Sequence, residues 1–317
     1  MTEILCANFN ELCHEDIPLA GGKGANLGEM VQAGLPVPPG FVICAPAYRL
    51  MLEKTTIINQ INQILNKFPN REPSDLVKAE EQIRPIIENA EIPPELAREI
   101  IANYHKLGTD VPVAVRSSAT AEDLAGASFA GQQETFLNVI GDEALLKSTL
   151  KCWSSLFTSQ AMFYRAQKGF KDTEVSMAVV IQIMVNSEKS GVTFTYDPVT
   201  RNPYQMTVEG VWGLGEGIVS GTITPDHYKI DRETKEVIFE FKAPKTIMFT
   251  KQLNGGIYTI DVPPEKKQEP VLSREELISI VELGNVVESH FGSAQDIEWG
   301  IEDGHLYLLQ SRPVTNI

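Results

Sequence analysis

A change of hydrophobic period part-way along the chain constrains its fold more than any other feature. Over residues 51–107 and again over 142–168, apolar residues recur at three- and four-residue spacing, the period of helices buried on one face. MLEKTTIINQINQILNKF reads as one helix, and SDLVKAEEQIRPIIENA as a second with Ser74 as its cap. PPELAREIIANYHKL reads as a third, with proline in the first turn where a missing N–H does no harm. VPVAVR is a strand signal, and EVSMAVVIQIMV reads as a long buried strand. Beyond it the chain turns to short strands: GVTFTYDP, QMTVEGVW, HYKID, EVIFEFK, TIMFT and GIYTID. One more helix, SREELISIVELGNVVESHF, precedes the strand pair QDIEWGI and HLYLLQ. This order predicts a mixed α/β lobe followed by an α+β lobe, with the crossover near residues 182–190. The expected bounds are 1–185, with a helical insert at 51–107, and 186–317.

At 317 residues the chain is long enough to bury two such cores. Its 27 Lys and Arg against 42 Asp and Glu leave a net charge of −15. That balance argues against nucleic acid and anionic membrane as partners, since both are bound through a basic surface. An anionic ligand must then be met by a few placed cations. Cys6, Cys13, Cys44 and Cys152 form no CxxC, so neither a zinc clamp nor a disulfide framework is indicated. The N-terminus lacks the basic and apolar regions of a signal peptide. The longest apolar stretch, Met177 to Val185, is interrupted by Gln182 and too short to span a bilayer. A soluble, cytoplasmic protein is expected.

Three segments carry candidate phosphate chemistry. Gly21-Gly22-Lys23-Gly24 sets one cation in a loop whose backbone N–H groups can approach phosphate oxygens, although a turn capping a helix reads the same way. It is not a Walker A loop, because GxxxxGK and the following Ser/Thr are missing. Arg116-Ser117-Ser118 closes the strand VPVAVR, and a guanidinium fork suits phosphate, as it also suits a surface ion pair. The small-residue run from Ala125 to Thr135 can cover a polyphosphate, with Gly131 in the loop and Thr135 as donor. Trp212-Gly213-Leu214-Gly215-Glu216-Gly217 fails as a dinucleotide fingerprint, because Ile218 stands at the third glycine. A tight turn accounts for it at least as well as a ligand contact.

The C-terminal strand pair is chemically the most informative. Asp296 and Glu298 alternate along QDIEWGI, and Gln310 and Arg312 along LYLLQSRP, so each pair shares a face. Hard oxygen ligands so arranged suit Mg²⁺, with arginine beside them for phosphate. The alternative is two exposed polar edges. Register decides between them: a two-residue turn at Asp303-Gly304 sets Glu298 opposite Leu309, whereas an Asp303-Gly304-His305 loop pairs Glu298 with Gln310. His14, His105, His227, His290 and His305 are not spaced for metal or set in a phosphoacceptor context, and read as structural or surface residues.

Taken in order, GGKGANLGEM, GLPVPPGF, VAVRSSATAEDL, ASFAGQQETFLNV, SGVTFTYDP, WGLGEGIVSG, QDIEWG and LYLLQSRP resemble the N-terminal ATP-binding region of the phosphoenolpyruvate synthase and pyruvate phosphate dikinase family. The likeness runs from Lys23 to Thr315 and, in VRSSATAEDL and SFAGQQET, is nearer to phosphoenolpyruvate synthase and rifamycin phosphotransferase. The resemblance implies an ATP-grasp fold, two lobes clamping Mg·ATP. It implies phosphate contacts from Lys23 and Arg116, with Thr135 and the Gly131 loop over the phosphates. It implies adenine recognition by the backbone of Gln182-Ile183-Met184-Val185. Glu298 and Gln310 would bind Mg²⁺ with Asp296 nearby, and Arg312 would stabilise transition-state charge. The implied reaction passes the β-phosphoryl of ATP to a histidine, releasing AMP and phosphate. That histidine belongs to a swivelling domain absent from this sequence, as is the acceptor-substrate domain. Pyruvate is the expected final acceptor and a rifamycin the alternative; a non-catalytic ATP-binding regulatory module is the reading from another class.

Overall fold

The protein, as a computed structural model, is described over residues 3–120, 134–170, 175–197 and 199–314. Two compact units organise it: Met1–Glu29 with Pro39–Met184, and Met30–Pro38 with Val185–Ile317. Met30–Pro38, expected with the N-terminal residues, instead groups with the later chain, where Leu308 N–H donates to Pro36 O at 2.9 Å.

The first unit contains β1 (Cys6–Asn8), all but the last three residues of α1 (Ile17–Gln32), β2 (Gly40–Ile43), α2 (Ala45–Thr55), α3 (Ile57–Leu65), α4 (Pro73–Glu88) and α5 (Pro94–Leu107). They are followed by β3 (Val113–Ala119), β4 (Thr135–Val139), α6 (Asp142–Ser154), α7 (Ser159–Lys168) and β5 (Met177–Ile183). The strands form an antiparallel sheet in the order β1-β2-β5-β3-β4. Val179 and Ile181 of β5, Val113 and Val115 of β3, and Phe41 and Ile43 of β2 are buried in one core with Ile83, Ile100, Tyr104 and Trp153 of the helices. Each large side chain so buried contributes about 1.5–3 kcal/mol relative to exposure. Ala178, Val180 and Gln182 alternate with them and occupy the opposite face.

Two helix boundaries differ from the expected ones. Thr56, at φ 58°, breaks the apolar run after residue 50 into α2 and α3. Ser74 is no cap: α4 starts one residue earlier at Pro73, whose fixed φ suits the first turn, and Glu72 holds the cap position. The 142–168 run is likewise divided by a 3₁₀ turn at Ser155–Phe157, after which Thr158 Oγ1 accepts from Ala161 N–H at 3.2 Å to start α7.

The second unit holds β6 (Lys189–Phe194), β7 (Gln205–Trp212), α8 (Glu216–Val219), β8 (Asp226–Asp231), β9 (Val237–Phe241), β10 (Ile247–Lys251), β11 (Ile257–Asp261), α9 (Arg274–Phe291), β12 (Gln295–Glu302) and β13 (His305–Pro313). Six strands form an antiparallel sheet, β13-β12-β6-β7-β8-β9, and β10 pairs with β11 separately. With every described pairing between strands of a sheet antiparallel, the mixed helix and strand content of both units is of the α+β kind. A capping box opens α9: Ser273 Oγ accepts from Glu276 N–H at 3.2 Å, and Glu276 Oε2 accepts from Ser273 N–H at 2.7 Å. Gly284 lets α9 approach the sheet at Met206, on the face that buries Ile297 and Trp299.

Asp226 is fully buried and accepts from Lys245 Nζ at 2.7 Å and from Ala243 and Val271 N–H, both at 2.8 Å. The glycine run after β7 serves the fold: Gly213, at φ +76°, lies so close to Phe249 O that a Cβ would sit 2.2 Å from it. No helix among the described residues is long and apolar enough to cross a membrane.

Candidate functional site

In the first unit, the sheet face opposite the helical core gathers the expected phosphate contacts. Register across the strands aligns Val42, Val180, Arg116 and Thr135 in one row, and Gly40, Gln182 and Ala114 in the next. Arg116 and Thr135 are paired only because β4 carries a bulge. Val113 stands opposite Val139, yet Val115 stands opposite Phe136, so three steps on β4 match two on β3. Asn138 occupies this bulge at φ 57°. Without the extra residue Thr135 would oppose Ser117 and leave the face of Arg116.

The start of α1 is fastened to the same face. Ser118 Oγ donates to Ala20 O at 2.9 Å and accepts from Gly24 N–H at 3.3 Å, so one hydroxyl holds both sides of Gly21-Gly22-Lys23-Gly24. Lys23 and Arg116 are both half-buried. Gly21 is required here, at φ +67° and ψ 171°, with a built Cβ only 2.3 Å from Ser118 O and from Ser118 Oγ. Gly21→Ala is expected to cost about 3 kcal/mol, from an essentially glycine-only backbone region plus a contact with main chain that cannot yield. The shift of the urea unfolding midpoint measures it.

Gln182 is 2% exposed, and its Nε2 has no hydrogen-bond partner among the described residues. A buried amide donor left unmade costs about 1–3 kcal/mol, so the site is suited to a ligand acceptor. Ile183 ends β5, and Met184 N–H donates to Pro112 O at 2.9 Å. The division between units here falls after Met184, so Val185 belongs to the second. Gly131 lies outside the described residues.

In the second unit the strand pair β12–β13 aligns all four expected side chains on the face away from α9. Asp296 is opposite Arg312, and Glu298 is opposite Gln310. The loop expected to allow this, Asp303-Gly304-His305, does not form. Glu302 pairs with His305 across a two-residue turn, with Asp303 at φ 50° and Gly304 at φ 74°, the Asp-Gly form of a type I′ hairpin. A bulge restores the register: Trp299 pairs with Leu308 and Glu298 with Gln310, so Leu309 is the extra residue.

Arg312 Nε donates to Asp296 Oδ2 at 2.8 Å, and Nη2 of the same guanidinium forms an ion pair with that oxygen at 2.7 Å. Burial pushes the Asp296 carboxyl up, Arg312 pulls it back, and Glu298 and Glu209 push it up further. No group of three or more His, Cys, Asp or Glu among the described residues is close enough to hold a metal. The oxygen donors of this strand pair are the Glu298–Gln310 pair with Asp296 beside it. That set suits Mg²⁺, which keeps waters and takes phosphate oxygens alongside one or two carboxylates.

Three contributors were not recognised from the sequence. Local sequence marks Ser118 only as part of Arg116-Ser117-Ser118; its role depends on a contact across 94 residues. Glu209 of β7 belongs to the row of Glu298, through Val192, and accepts or shares a hydrogen bond with His227 Nδ1 at 3.1 Å. The alternation of Thr207 and Glu209 in QMTVEGVW signalled their common face. Glu134, just before β4, is the third, paired with Arg84 of α4 at 2.6 Å.

Residues 17–317 match the family described as pyruvate phosphate dikinase, AMP/ATP-binding domain. The chain belongs to this family. A probable phosphoenolpyruvate synthase of Archaeoglobus fulgidus is 50% identical over 307 residues, covering 95% of this chain and 40% of the relative. Another, of Methanocaldococcus jannaschii, is 46% identical and covers 98% of this chain and 26% of the relative. A rifampicin phosphotransferase of Bacillus cereus is 38% identical, covering 98% of this chain and 36% of the relative. This AMP/ATP-binding-domain chain therefore spans between about a quarter and two-fifths of the length of these three relatives. A D-alanine-D-alanine ligase of Helicobacter pylori aligns at 11% identity over 69% of this chain and 46% of its own, with a TM-score of 0.29, too low to define the fold.

Proposed function

We propose that this chain is the ATP-grasp phosphotransfer part of a dikinase-type enzyme, in which two lobes, near the expected 1–185 and 186–317 but with Met30–Pro38 and Val185 in the second, grip Mg·ATP. The β-phosphoryl passes to a histidine on a swivelling domain outside this chain. Nitrogen-to-phosphorus bond formation at the β-phosphorus breaks its bond to AMP, and water removes the γ-phosphoryl as phosphate. The observation that carries the reading is the bulged pairing of Glu298 with Gln310 beside Arg312 and Asp296. It sets two oxygen donors and one guanidinium on a single face, as phosphoryl transfer requires.

In this reading Lys23 and Arg116 hold phosphate oxygens, Thr135 donates to them, and Gly131 belongs to the loop above. The backbone of Gln182, Ile183, Met184 and Val185 reads the adenine, and the buried Gln182 amide finds its acceptor there. Glu298 and Gln310 hold Mg²⁺, with Asp296 keeping Arg312 aimed at the phosphates. The metal supplies charge neutralisation across the phosphate oxygens. Arg312, Arg116 and Lys23 then offset the charge that develops as the β-phosphorus is attacked, a preorganised electrostatic role. Pyruvate is the proposed final acceptor, supported by the higher identity to the two phosphoenolpyruvate synthases above, 46% and 50%, than to the rifampicin phosphotransferase, 38%.

Calorimetric titration of the chain with ATP tests the reading. Saturable binding that strengthens when Mg²⁺ is added is the expected result. An isotherm without saturation, with or without the metal, would overturn it.

A further inference from the structure

Arg84 lies on α4, in the helical layer of the first unit, and was not among the residues expected to act. Its guanidinium meets three carboxylates: Glu134 at 2.6 Å, Glu88 at 3.1 Å and Glu80 at 3.4 Å. Glu80 and Glu88 are one turn away on the same helix, and each has a further partner: Ser159 N–H to Glu80 at 2.7 Å, Ser154 Oγ to Glu88 at 2.7 Å. Glu134 is different. It precedes β4, fifty residues on, and is the shortest contact of the three.

Glu134 also holds the strand that carries Arg116. Its main-chain oxygen accepts from Ser117 N–H at 3.1 Å and from Ser117 Oγ at 3.2 Å. Its side chain thus ties to the helices and its main chain to the residue after Arg116. The next residue, Thr135, stands opposite Arg116. A rotation at Glu134 would move Thr135 and disturb Ser117 in the same step.

We propose that Arg84 is a positioning residue for the nucleotide phosphates, acting through Glu134 to fix Arg116 and Thr135 on one face. The inference rests on the reading of Arg116 and Thr135 as phosphate contacts. Loss of the guanidinium would leave the half-buried Glu134 and Glu88 with no arginine between them and Lys151 as the cation acting on Glu134. Burial already pushes the Glu134 carboxyl up, and Arg84 pulls it back. Two like charges there would drive Glu134 out of its place.

A double-mutant cycle read as ATP affinity tests this, with wild type, Arg84→Met, Glu134→Gln and the double variant titrated in Mg²⁺ buffer. Arg84→Met is expected to weaken ATP binding about tenfold. Glu134→Gln, neutral and able to keep its main-chain bonds, is expected to weaken ATP binding by less than Arg84→Met does. Adding Glu134→Gln to Arg84→Met removes the repulsion and is expected to recover most of the lost affinity. A support role for α4 alone predicts no such rescue, so a double variant as weak as Arg84→Met would overturn the inference. Unchanged affinity in Arg84→Met would also overturn it. Should Arg84→Met fail to fold by circular dichroism, Arg84→Gln, which also removes the charge but keeps a polar donor, carries the same cycle, with a smaller loss and the same rescue expected. Wild type that binds no ATP removes the phosphate reading and this inference together, a result distinct from wild-type binding unmoved by Arg84→Met.

Discussion

Arg116→Ala is expected to lower phosphorylation of the carrier histidine by about 10²–10³-fold, the loss seen when one preorganised donor to developing charge is removed. The fold should survive, because Arg116 is half-buried on the face opposite the helical core, where Val113 and Val115 do the packing. Arg116→Lys should rescue little. A lysine keeps the charge but not the planar fork that meets two phosphate oxygens at once. The assay is transfer of label from β-labelled ATP to a histidine-bearing carrier domain, with circular dichroism and thermal melting as the fold control. Transfer within twofold of wild type by Arg116→Ala would remove Arg116 from the chemistry. A simultaneous collapse of the melting transition would instead make it a structural residue.

What made this site legible in the sequence was alternation, and what hid part of it was the exception to alternation. The two-residue period of QDIEWGI and LYLLQSRP put Asp296 with Glu298 and Gln310 with Arg312 without any structure. Whether the two strands present those pairs on one face depends on Leu309, whose apolar character gives no sign that it bulges. The Asp303-Gly304 turn is the commonplace type I′ hairpin, and taken alone it argues for the wrong register. The bulge reverses that argument. In the first unit the same device aligns Thr135 with Arg116, with Asn138 at positive φ as its one local hint. Bulges in both sheets stand where side chains must be re-aimed.

Helices were easier, since 3.6-residue periodicity is local, but their ends were not. Ser74 has the chemistry of a cap and loses to Pro73, which is already shaped for a first turn. Thr56 breaks a periodic run by adopting a left-handed conformation that composition does not signal. Contacts across long separations were out of reach. Ser118 fastening the Gly21–Gly24 loop, and Arg84 reaching Glu134, join segments whose local sequences carry no trace of each other.

Glu298→Gln should separate stability from function. Glu298 is one of the charges that push the Asp296 carboxyl up, and Glu209 is another. Three carboxylates near one face repel, and their mutual cost is met only where a cation or an arginine is present. Removing one negative charge while keeping the side-chain volume should therefore leave the ligand-free chain within about 0.5 kcal/mol of wild-type stability, as for most changes that remove no packing. Nucleotide chemistry should respond in the opposite sense. The amide is a poor Mg²⁺ ligand beside a carboxylate, so the gain in ATP affinity on adding Mg²⁺ should disappear. Histidine phosphorylation should fall by about 10²-fold or more, since several kcal/mol of charge stabilisation is lost with the metal. Calorimetry with and without Mg²⁺, thermal melting and the label-transfer assay read the three quantities on one preparation. An unchanged Mg²⁺ dependence would remove Glu298 from the metal site, and a large drop in melting temperature would mean that its carboxylate serves the sheet rather than the nucleotide.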